Sequence, residues 1–167
     1  VGNLIGLKGH DLIIQALARL PQGYKLWIIG DGEEEASLKK LVDRSGVQGR
    51  VFFVRGMPQD KLKEFYQASD ALVLASDREG WANVLLEAMA CGTPVAATNI
   101  WGTPEVVCHP DAGMLIEQRT PDSIAETIQR LFATYPSRTA TRNFAQQFDW
   151  EGTTKGQVQI FRSLLSR

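Results

Sequence analysis

Two glutamates, Glu79 and Glu87, stand with seven residues between them in the segment SDREGWANVLLEAMACG. Polar residues and a glycine around Glu79 predict a loop, whereas the apolar residues around Glu87 predict a helix with Asn83 as its N-cap. Both carboxylates can face the space before the helix N-terminus, where unpaired N–H groups and the helix dipole favour an anion. The pair therefore predicts a ligand that carries both hydroxyls and phosphate.

Short apolar runs alternate with amphipathic segments along the chain and predict the elements that position these residues. The predicted strands cover residues 24–29, 51–54, 71–75, 95–97 and 113–116. The predicted helices cover residues 11–20, 33–45, a segment capped by Asp60, and the segment behind Asn83. A loop at 99–103 and a helical turn at 104–107 follow, and the pattern is helical from Thr120 onward, with breaks near Pro136 and at 149–152.

Strands that are continuously apolar are buried on both faces, which predicts a doubly wound α/β fold with a parallel sheet and crossover helices. The opening segment VGNLIGLKGH has the pattern of the tail of a truncated strand. In such a sheet the ligand lies beyond the carboxyl ends of the strands. The loops at residues 2–9, 30–32, 55–58, 76–83 and 98–103 are therefore expected to share one rim, on which Lys8, Glu79 and Glu87 converge.

The composition fits one domain of 167 residues, with 18 Lys and Arg against 19 Asp and Glu and a net charge of -1. That balance gives no reason to expect nucleic acid. The sequence predicts no transmembrane segment and no signal peptide, and hence a cytoplasmic location. The two cysteines, Cys91 and Cys108, form neither a disulfide framework nor a zinc pattern, and no metal site is expected.

Several catalytic motifs are missing or incomplete. The turn Gly30-Asp31-Gly32 lacks the third glycine of a dinucleotide fingerprint, and the acids that follow would repel a pyrophosphate, so a tight turn is predicted. No P-loop and no nucleophile elbow occur. The glutamate pair could act as in a glycosidase, but the apolar neighbours of Glu87 favour a fixed carboxylate that accepts hydrogen bonds from a diol.

The segments EGWANVLLEAMACGTPVAATNIWGTPEVV, LKGHDLIIQAL, WIIGDGE, VFFVRGMP and YQASDALVLAS together resemble the donor-binding half of the retaining GT-B glycosyltransferases of group 1 (family 4 type). The part EGWANVLLE resembles the E-x7-E motif of that family. The resemblance implies the C-terminal, Rossmann-like half of a GT-B fold. The whole chain, residues 1–167, would then be one nucleotide-sugar donor-binding domain, with the N-terminal acceptor domain absent.

The resemblance also implies roles for individual residues. Glu79 would lie near hydroxyls of the donor sugar, Glu87 would hold the ribose diol, and Lys8 would neutralise the leaving phosphate. The sugar and diphosphate would meet the backbone N–H groups of Gly80, Trp81, Ala82, Asn83 and Val84. The base would be framed by Arg55, Gly56 and Met57. The donor is a substrate, and neither cofactor nor metal is implied, because a lysine and a helix N-terminus can stabilise the diphosphate.

The sequence departs from the family pattern in two places. Asn3 stands where the family often has an arginine on the diphosphate, and Arg78 is the nearest candidate to replace that charge. Trp101 stands where the family often has glycine, and it could narrow the donor or acceptor pocket. Trp101 and Trp81 are equally consistent with packing anchors and with the wall of a sugar or base site.

The resemblance implies transfer of a hexose-type sugar from a nucleoside diphosphate to an acceptor hydroxyl. The acceptor, whether sugar, lipid-linked sugar or polysaccharide, stays open, as does peripheral attachment of the full-length enzyme to the inner membrane. The apolar face of the last helix, from Val158 to Leu165, would pack toward the other domain or on its own sheet. Two alternatives remain: a GT-B relative such as a nucleotide-sugar epimerase or a phosphorylase, and a non-catalytic domain that binds a nucleotide or a protein partner.

Overall fold

The computed structural model describes residues 1–148 and 150–165. Its helices are α1 (His10–Arg19), α2 (Glu35–Arg44), α3 (Gln59–Ala68), α4 (Asn83–Ala90), α5 (Thr103–Val106), α6 (Pro121–Ala133), α7 (Arg138–Ala145) and α8 (Trp150–Leu165). Its strands are β1 (Leu26–Ile29), β2 (Val51–Val54), β3 (Leu72–Leu74), β4 (Val95–Thr98) and β5 (Gly113–Ile116). Most predicted elements are found, with ends displaced by one or two residues.

All strand pairs are parallel, which confirms the α/β fold with crossover helices. The hydrogen-bonded ladder has two parts, β1-β2 and β3-β4-β5. A cavity of about 860 Å³ is lined by both β1 and β3, together with Ile13 and Leu17 of α1 and Phe65 of α3. We call it the β1/β3 cavity.

Helices cover both faces of the strands. On one face the buried side chains of α1, α2 and α6 form a cluster that includes Ile14, Leu38 and Ile124. On the other face α3, α4 and α7 form a second cluster that includes Leu85 and Phe144. Both clusters consist of aliphatic and aromatic side chains that are almost fully buried. Helices on both sides of a parallel sheet are the arrangement that brings the strand-end loops to one rim.

Two predicted helix caps are wrong. Asn83 is the first residue of α4, and Ala82 occupies the N-cap position without a side-chain hydrogen bond. The N–H of Asn83 donates to the Trp81 carbonyl, so the backbone closes this turn without a polar cap. Asp60 lies inside the first turn of α3, because the Pro58 carbonyl already accepts hydrogen bonds from the helix. The carboxylate of Asp60 there still complements the helix dipole.

The C-terminal part is helical, as predicted, and is interrupted around Pro136 between α6 and α7. The second break falls between Ala145 and Trp150, slightly before most of the predicted range, and Asp149 lies outside the described residues. The apolar side chains Val158, Phe161, Leu164 and Leu165 are exposed, and Leu165 is 87% exposed. These side chains therefore do not pack on the sheet of their own chain.

Candidate functional site

Lys8 and Glu79, far apart in sequence, form an ion pair at the rim. The ammonium Nζ of Lys8 lies 2.5 Å from Oε1 of Glu79, and the hydroxyl of Ser76 donates to the same oxygen at 2.7 Å. The side chain of Glu79 is 13% exposed and that of Lys8 is 27% exposed. Ser76 is fully buried and its carbonyl accepts a hydrogen bond from Thr98. The carboxylate is thus fixed in place, and the lysine remains open to solvent on one side.

Backbone contacts hold the two loops together. Gly9 adopts φ +64°, and a Cβ added to it would lie 2.3 Å from the carbonyl oxygen of Ala75. Asp77 N–H donates to the carbonyl of Leu7 at 2.8 Å. Since only glycine allows both this φ and this close approach, Gly9 is what seats the lysine loop against the end of β3.

A guanidinium group reinforces the same junction. Arg119, which follows β5, donates from Nε to the Ala75 carbonyl at 2.9 Å and from Nη2 to the Gly6 carbonyl at 3.4 Å. No motif in the sequence predicts a role for Arg119. Its place just after a strand at the carboxyl edge of the sheet is the signal that could have found it. Arg119 positions the loop that carries Lys8.

Glu87 is held differently. Its Oε2 accepts from the hydroxyl of Tyr66 at 3.0 Å, and its Oε1 accepts from the side-chain amide of Gln59 at 3.0 Å. Burial, and then the Glu87 carboxylate, raise the pKa of the Tyr66 hydroxyl above its ordinary value of 10. Tyr66 therefore remains a hydrogen-bond donor at all physiological pH values. Neither partner of Glu87 could be predicted from the sequence, because their approach depends on how α3 packs against α4.

The segment before α4 partly meets the expectation of free backbone donors. The N–H of Asn83 is already paired with the Trp81 carbonyl, so it does not face a ligand. Among the residues that the structure describes, the N–H of Val84 makes no hydrogen bond to the turn before α4, whereas the N–H of Leu85 donates to the Ala82 carbonyl. Gly80 lies against Gly102, where an added Cβ would be 2.5 Å from the Gly80 carbonyl oxygen. The loop before α4 and the loop before α5 are therefore in contact at the rim.

The segment 55–57 is tied to the turn after β1. Gly56 N–H donates to Oδ2 of Asp31 at 2.9 Å, and the exposed Arg55 lies 3.7 Å from Oδ1 of the same carboxylate. Met57 is half-buried against the second cluster. Gly30, at φ +149°, packs against the backbone of Gly2. The turn Gly30-Asp31-Gly32 therefore packs against the backbone at the start of the chain, as expected for a tight turn.

Four further predicted positions lie in exposed surroundings. Asn3 is exposed, and its carbonyl accepts from Ile5 N–H. The guanidinium of Arg78 lies 5.6 Å from the ring centroid of Trp101, which is 66% exposed and adopts φ 45°. Trp81 is 46% exposed, and its ring centroid lies 6.3 Å from that of Phe148. A bulky residue at positive φ is a genuine outlier, so the Trp101 backbone is strained at the rim.

The arrangement offers a ligand two fixed carboxylates, one partly open cation and a helix N-terminus. The structure brings Lys8 and Glu79 into contact, whereas Glu87 belongs to a separate network with Tyr66 and Gln59. Over residues 1–148 and 150–165, no group of three or more potential metal ligands is close enough to hold an ion. None of the described helices combines the length and apolarity needed to cross a membrane. The chemistry available at the rim is therefore recognition of hydroxyls and of negative charge.

Comparison with known proteins shows the family to which the chain belongs. A family model described as "Glycosyl transferases group 1" matches residues 1–148. The chain is 33% identical over 178 residues to the D-inositol 3-phosphate glycosyltransferase of Corynebacterium urealyticum, covering 98% of this chain and 42% of the relative. It spans less than half the length of that relative.

Two solved structures show the same fold. The Anabaena protein Alr3699/HepE in complex with UDP-glucose matches with a TM-score of 0.81 and 28% identity, over 99% of this chain and 48% of that one. The C-terminal domain of the group 1 family protein LpcC from Francisella tularensis matches with a TM-score of 0.77 and 22% identity, over 89% of this chain and 83% of that one. The second likeness supports the fold of a C-terminal domain.

Proposed function

The chain belongs to the group 1 glycosyl transferases, and we propose that it is the donor-binding domain of an enzyme that transfers a hexose-type sugar from a nucleoside diphosphate to an acceptor hydroxyl, with retention at the anomeric carbon. The observation that carries this proposal is the Lys8–Glu79 pair at the carboxyl edge of the sheet. The related Anabaena protein is described in complex with UDP-glucose, which supports a nucleotide-sugar as the ligand.

Lys8 supplies the charge that a leaving diphosphate needs. Its ammonium group has three N–H donors, of which one goes to Glu79, so the others remain for phosphate oxygens. The N-terminus of α4, including the N–H of Val84, adds a favourable dipole. Because these groups are already oriented before the sugar–phosphate bond breaks, they stabilise the developing charge without reorganisation. No step of this scheme requires a metal ion.

The two glutamates share the hydroxyls of the donor. Glu79, neutralised by Lys8 and fixed by Ser76, accepts hydrogen bonds from the donor sugar. Glu87 accepts from the ribose diol, since its partners Tyr66 and Gln59 use only part of its acceptor capacity. Residues 55–57, beside Gln59 at the start of α3, frame the base. A second domain would bring the acceptor, which fits a chain spanning less than half of its relatives.

Titration of the chain with UDP, GDP and ADP by calorimetry tests the proposal. We expect at least one of them to bind, and a hundredfold excess over the dissociation constant to raise the free energy of unfolding by about 2.7 kcal/mol. Lys40 is an exposed lysine on α2 and provides the matched control, because Lys40→Ala removes a charge at a residue outside the proposed donor site. Absence of binding by all three nucleotides at millimolar concentration would reject the donor site.

A further inference from the structure

Trp101 holds a bulky side chain at the rim in a backbone conformation that disfavours it. Its φ is 45°, in the left-handed region where a large side chain is sterically strained. The residue is also 66% exposed, so burial of the indole recovers little of that cost. A strained backbone that presents an exposed aromatic ring is a reason to look for a ligand of that ring.

Trp81, the other exposed tryptophan of the rim, is held differently from Trp101. Its ring centroid lies 6.3 Å from that of Phe148, which packs against the second cluster. Among the residues that the structure describes, Trp101 has no aromatic partner, and the guanidinium of Arg78 lies over its ring at 5.6 Å from the centroid. Trp81 is therefore a packing anchor, whereas Trp101 keeps an open ring face beside a fixed cation.

The loop of Trp101 lies against the loop that carries Glu79. A Cβ added to Gly102 would lie 2.5 Å from the carbonyl oxygen of Gly80, the residue that follows Glu79. Strands β3 and β4, which precede these two loops, are paired in register. Residues 55–57 instead follow β2, which belongs to the other part of the ladder. The indole is therefore on the side of Glu79 rather than on the side of the segment that frames the base.

A pyranose ring is the ligand whose chemistry matches this surface. It presents C–H groups on one face and hydroxyls around its edge, so an indole can pack on the face while polar groups contact the edge. Arg78 supplies N–H donors beside the indole, and Glu79 supplies an acceptor on the neighbouring loop. An aromatic wall with a few polar groups that fix orientation is the usual composition of a small-molecule site.

We propose that Trp101, braced by Arg78, is a specificity-determining residue that stacks on the apolar face of a pyranose ring. The inference rests on the proposed function, because it takes the ring to be bound beside Glu79. The ring belongs either to the donor sugar or to an acceptor sugar, since both have the same face. Adding the sugar with and without its nucleotide separates these two sources.

Two variants separate the ring of Trp101 from its backbone. Trp101→Phe keeps an aromatic ring, whereas Trp101→Asn removes the ring and tolerates the left-handed backbone. Trp101→Asn should therefore unfold at a urea concentration at least as high as that of the parent chain. Loss of a packing anchor would instead lower this concentration, and a lower value in Trp101→Asn would count against the proposal.

The donor source is tested by calorimetric titration of each nucleotide and its sugar: UDP with UDP-glucose, GDP with GDP-mannose, and ADP with ADP-glucose. If the ring belongs to the donor, Trp101→Asn should weaken binding of the sugar nucleotide about fivefold more than binding of the nucleotide, as expected for one aromatic contact. Trp101→Phe should keep most of the affinity. Failure of every nucleotide to bind the parent chain would reject the donor site itself.

The acceptor source is tested by NMR with methyl glucoside, methyl galactoside and methyl mannoside at millimolar concentration, with and without nucleotide. The indole N–H resonance of Trp101 is assigned by its absence in Trp101→Phe, and that of Trp27, stacked on Phe52, is the internal reference. A shift of the Trp101 resonance alone assigns the ring to an acceptor sugar, and this readout does not require nucleotide binding.

The two measurements together decide the proposal. It is overturned if the pyranosides leave the Trp101 resonance unmoved and no sugar nucleotide loses more affinity than its nucleotide in Trp101→Asn. An equal loss for nucleotide and sugar nucleotide would place the indole on the base or in the packing of the rim. A pyranoside response without nucleotide binding would keep the stacking role of Trp101 and reject the donor site.

Discussion

Glu79 is held by loops and by a cation, whereas Glu87 is held by a helix and by neutral donors. The first carboxylate depends on Lys8 and on a loop seated by a glycine at positive φ. The second depends on the packing of α3 against α4, which places Tyr66 beside it. The comparison shows that a cation neutralises the carboxylate on the loop side, whereas neutral donors contact the carboxylate on the helix side. Substitutions on the loop side and on the helix side should therefore change stability and nucleotide binding differently.

The largest expected effect is on the loop side and concerns its backbone. Gly9→Ala should lower the free energy of unfolding by about 3 kcal/mol, because a left-handed alanine costs roughly 1–2 kcal/mol and its Cβ collides with Ala75. Gly46 is the matched control, since it has φ +67° but open space around its Cα. Gly46→Ala should cost only about 1 kcal/mol. Urea unfolding measures both, and equal losses would contradict the claim that close approach seats the lysine loop.

The next effect concerns charge. Lys8→Ala should weaken UDP binding about 30-fold, or about 2 kcal/mol, because hydrogen bonds to charged groups are worth roughly 1.5–3 kcal/mol. Lys40→Ala, on the exposed surface of α2, should leave the affinity unchanged. Isothermal titration provides the comparison. If the two variants bound UDP equally, Lys8 would have no role in neutralising the diphosphate.

A third effect concerns the pH dependence of the free energy of unfolding, to which His10, next to the Lys8 loop, should contribute and Tyr66, beside Glu87, should not. Burial first, and then the positive charges of the chain amino terminus and Lys8, lower the pKa of His10 from 6.5 to about 4, with Asp11 acting in the opposite direction. Below pH 6.5 the unfolded chain takes up this proton before the folded chain, so stability falls as the pH drops toward 4. Between pH 7.5 and 5 the loss should be about 2 kcal/mol.

The matched variant for this effect is His10→Phe, which keeps an aromatic ring and removes the titration. Urea unfolding across the pH range should give a flatter profile for His10→Phe than for the parent chain. Tyr66→Phe, which removes only the hydroxyl, should leave the fall in stability at acidic pH unchanged. The raised pKa of the Tyr66 hydroxyl affects stability only above pH 10. An unchanged acid limb in His10→Phe would show that His10 is not the group responsible.

The smallest effect concerns the helix side and a single pair of hydroxyls. Glu87→Gln should weaken UDP binding about tenfold, or roughly 1.4 kcal/mol, as expected for loss of a charged acceptor. The same substitution should not change binding of a 2′,3′-dideoxy analogue, because that ligand lacks the diol. Competition titrations with the two nucleotides give the answer. An equal loss for both nucleotides would remove Glu87 from the ribose site.

The fold and the proximity of Lys8 to Glu79 could be predicted from the sequence, for a clear physical reason. Strand burial and helix periodicity are local properties, and a parallel sheet then brings strand-end loops together, so Lys8 and Glu79 could be placed on one rim. The partners of Glu87 could not be predicted, because Tyr66 and Gln59 reach it through helix packing. The contacts of Arg119 could not be predicted either, because it donates to backbone carbonyl groups, which every residue has. The predicted N-cap of α4 was wrong, because the backbone hydrogen bond from Asn83 to the Trp81 carbonyl closes the turn without a side-chain cap.

The central claim is that the rim between Lys8 and Glu87 binds a nucleoside diphosphate. The most direct measurement is amide mapping by NMR during titration of the chain with UDP. We predict shifts that centre on the Lys8 loop, on residues 79–84 and on the start of α3, with the same set moving less in Lys8→Ala at equal nucleotide concentration. Shifts confined to the β1/β3 cavity, or none at millimolar UDP, GDP and ADP, would contradict the claim.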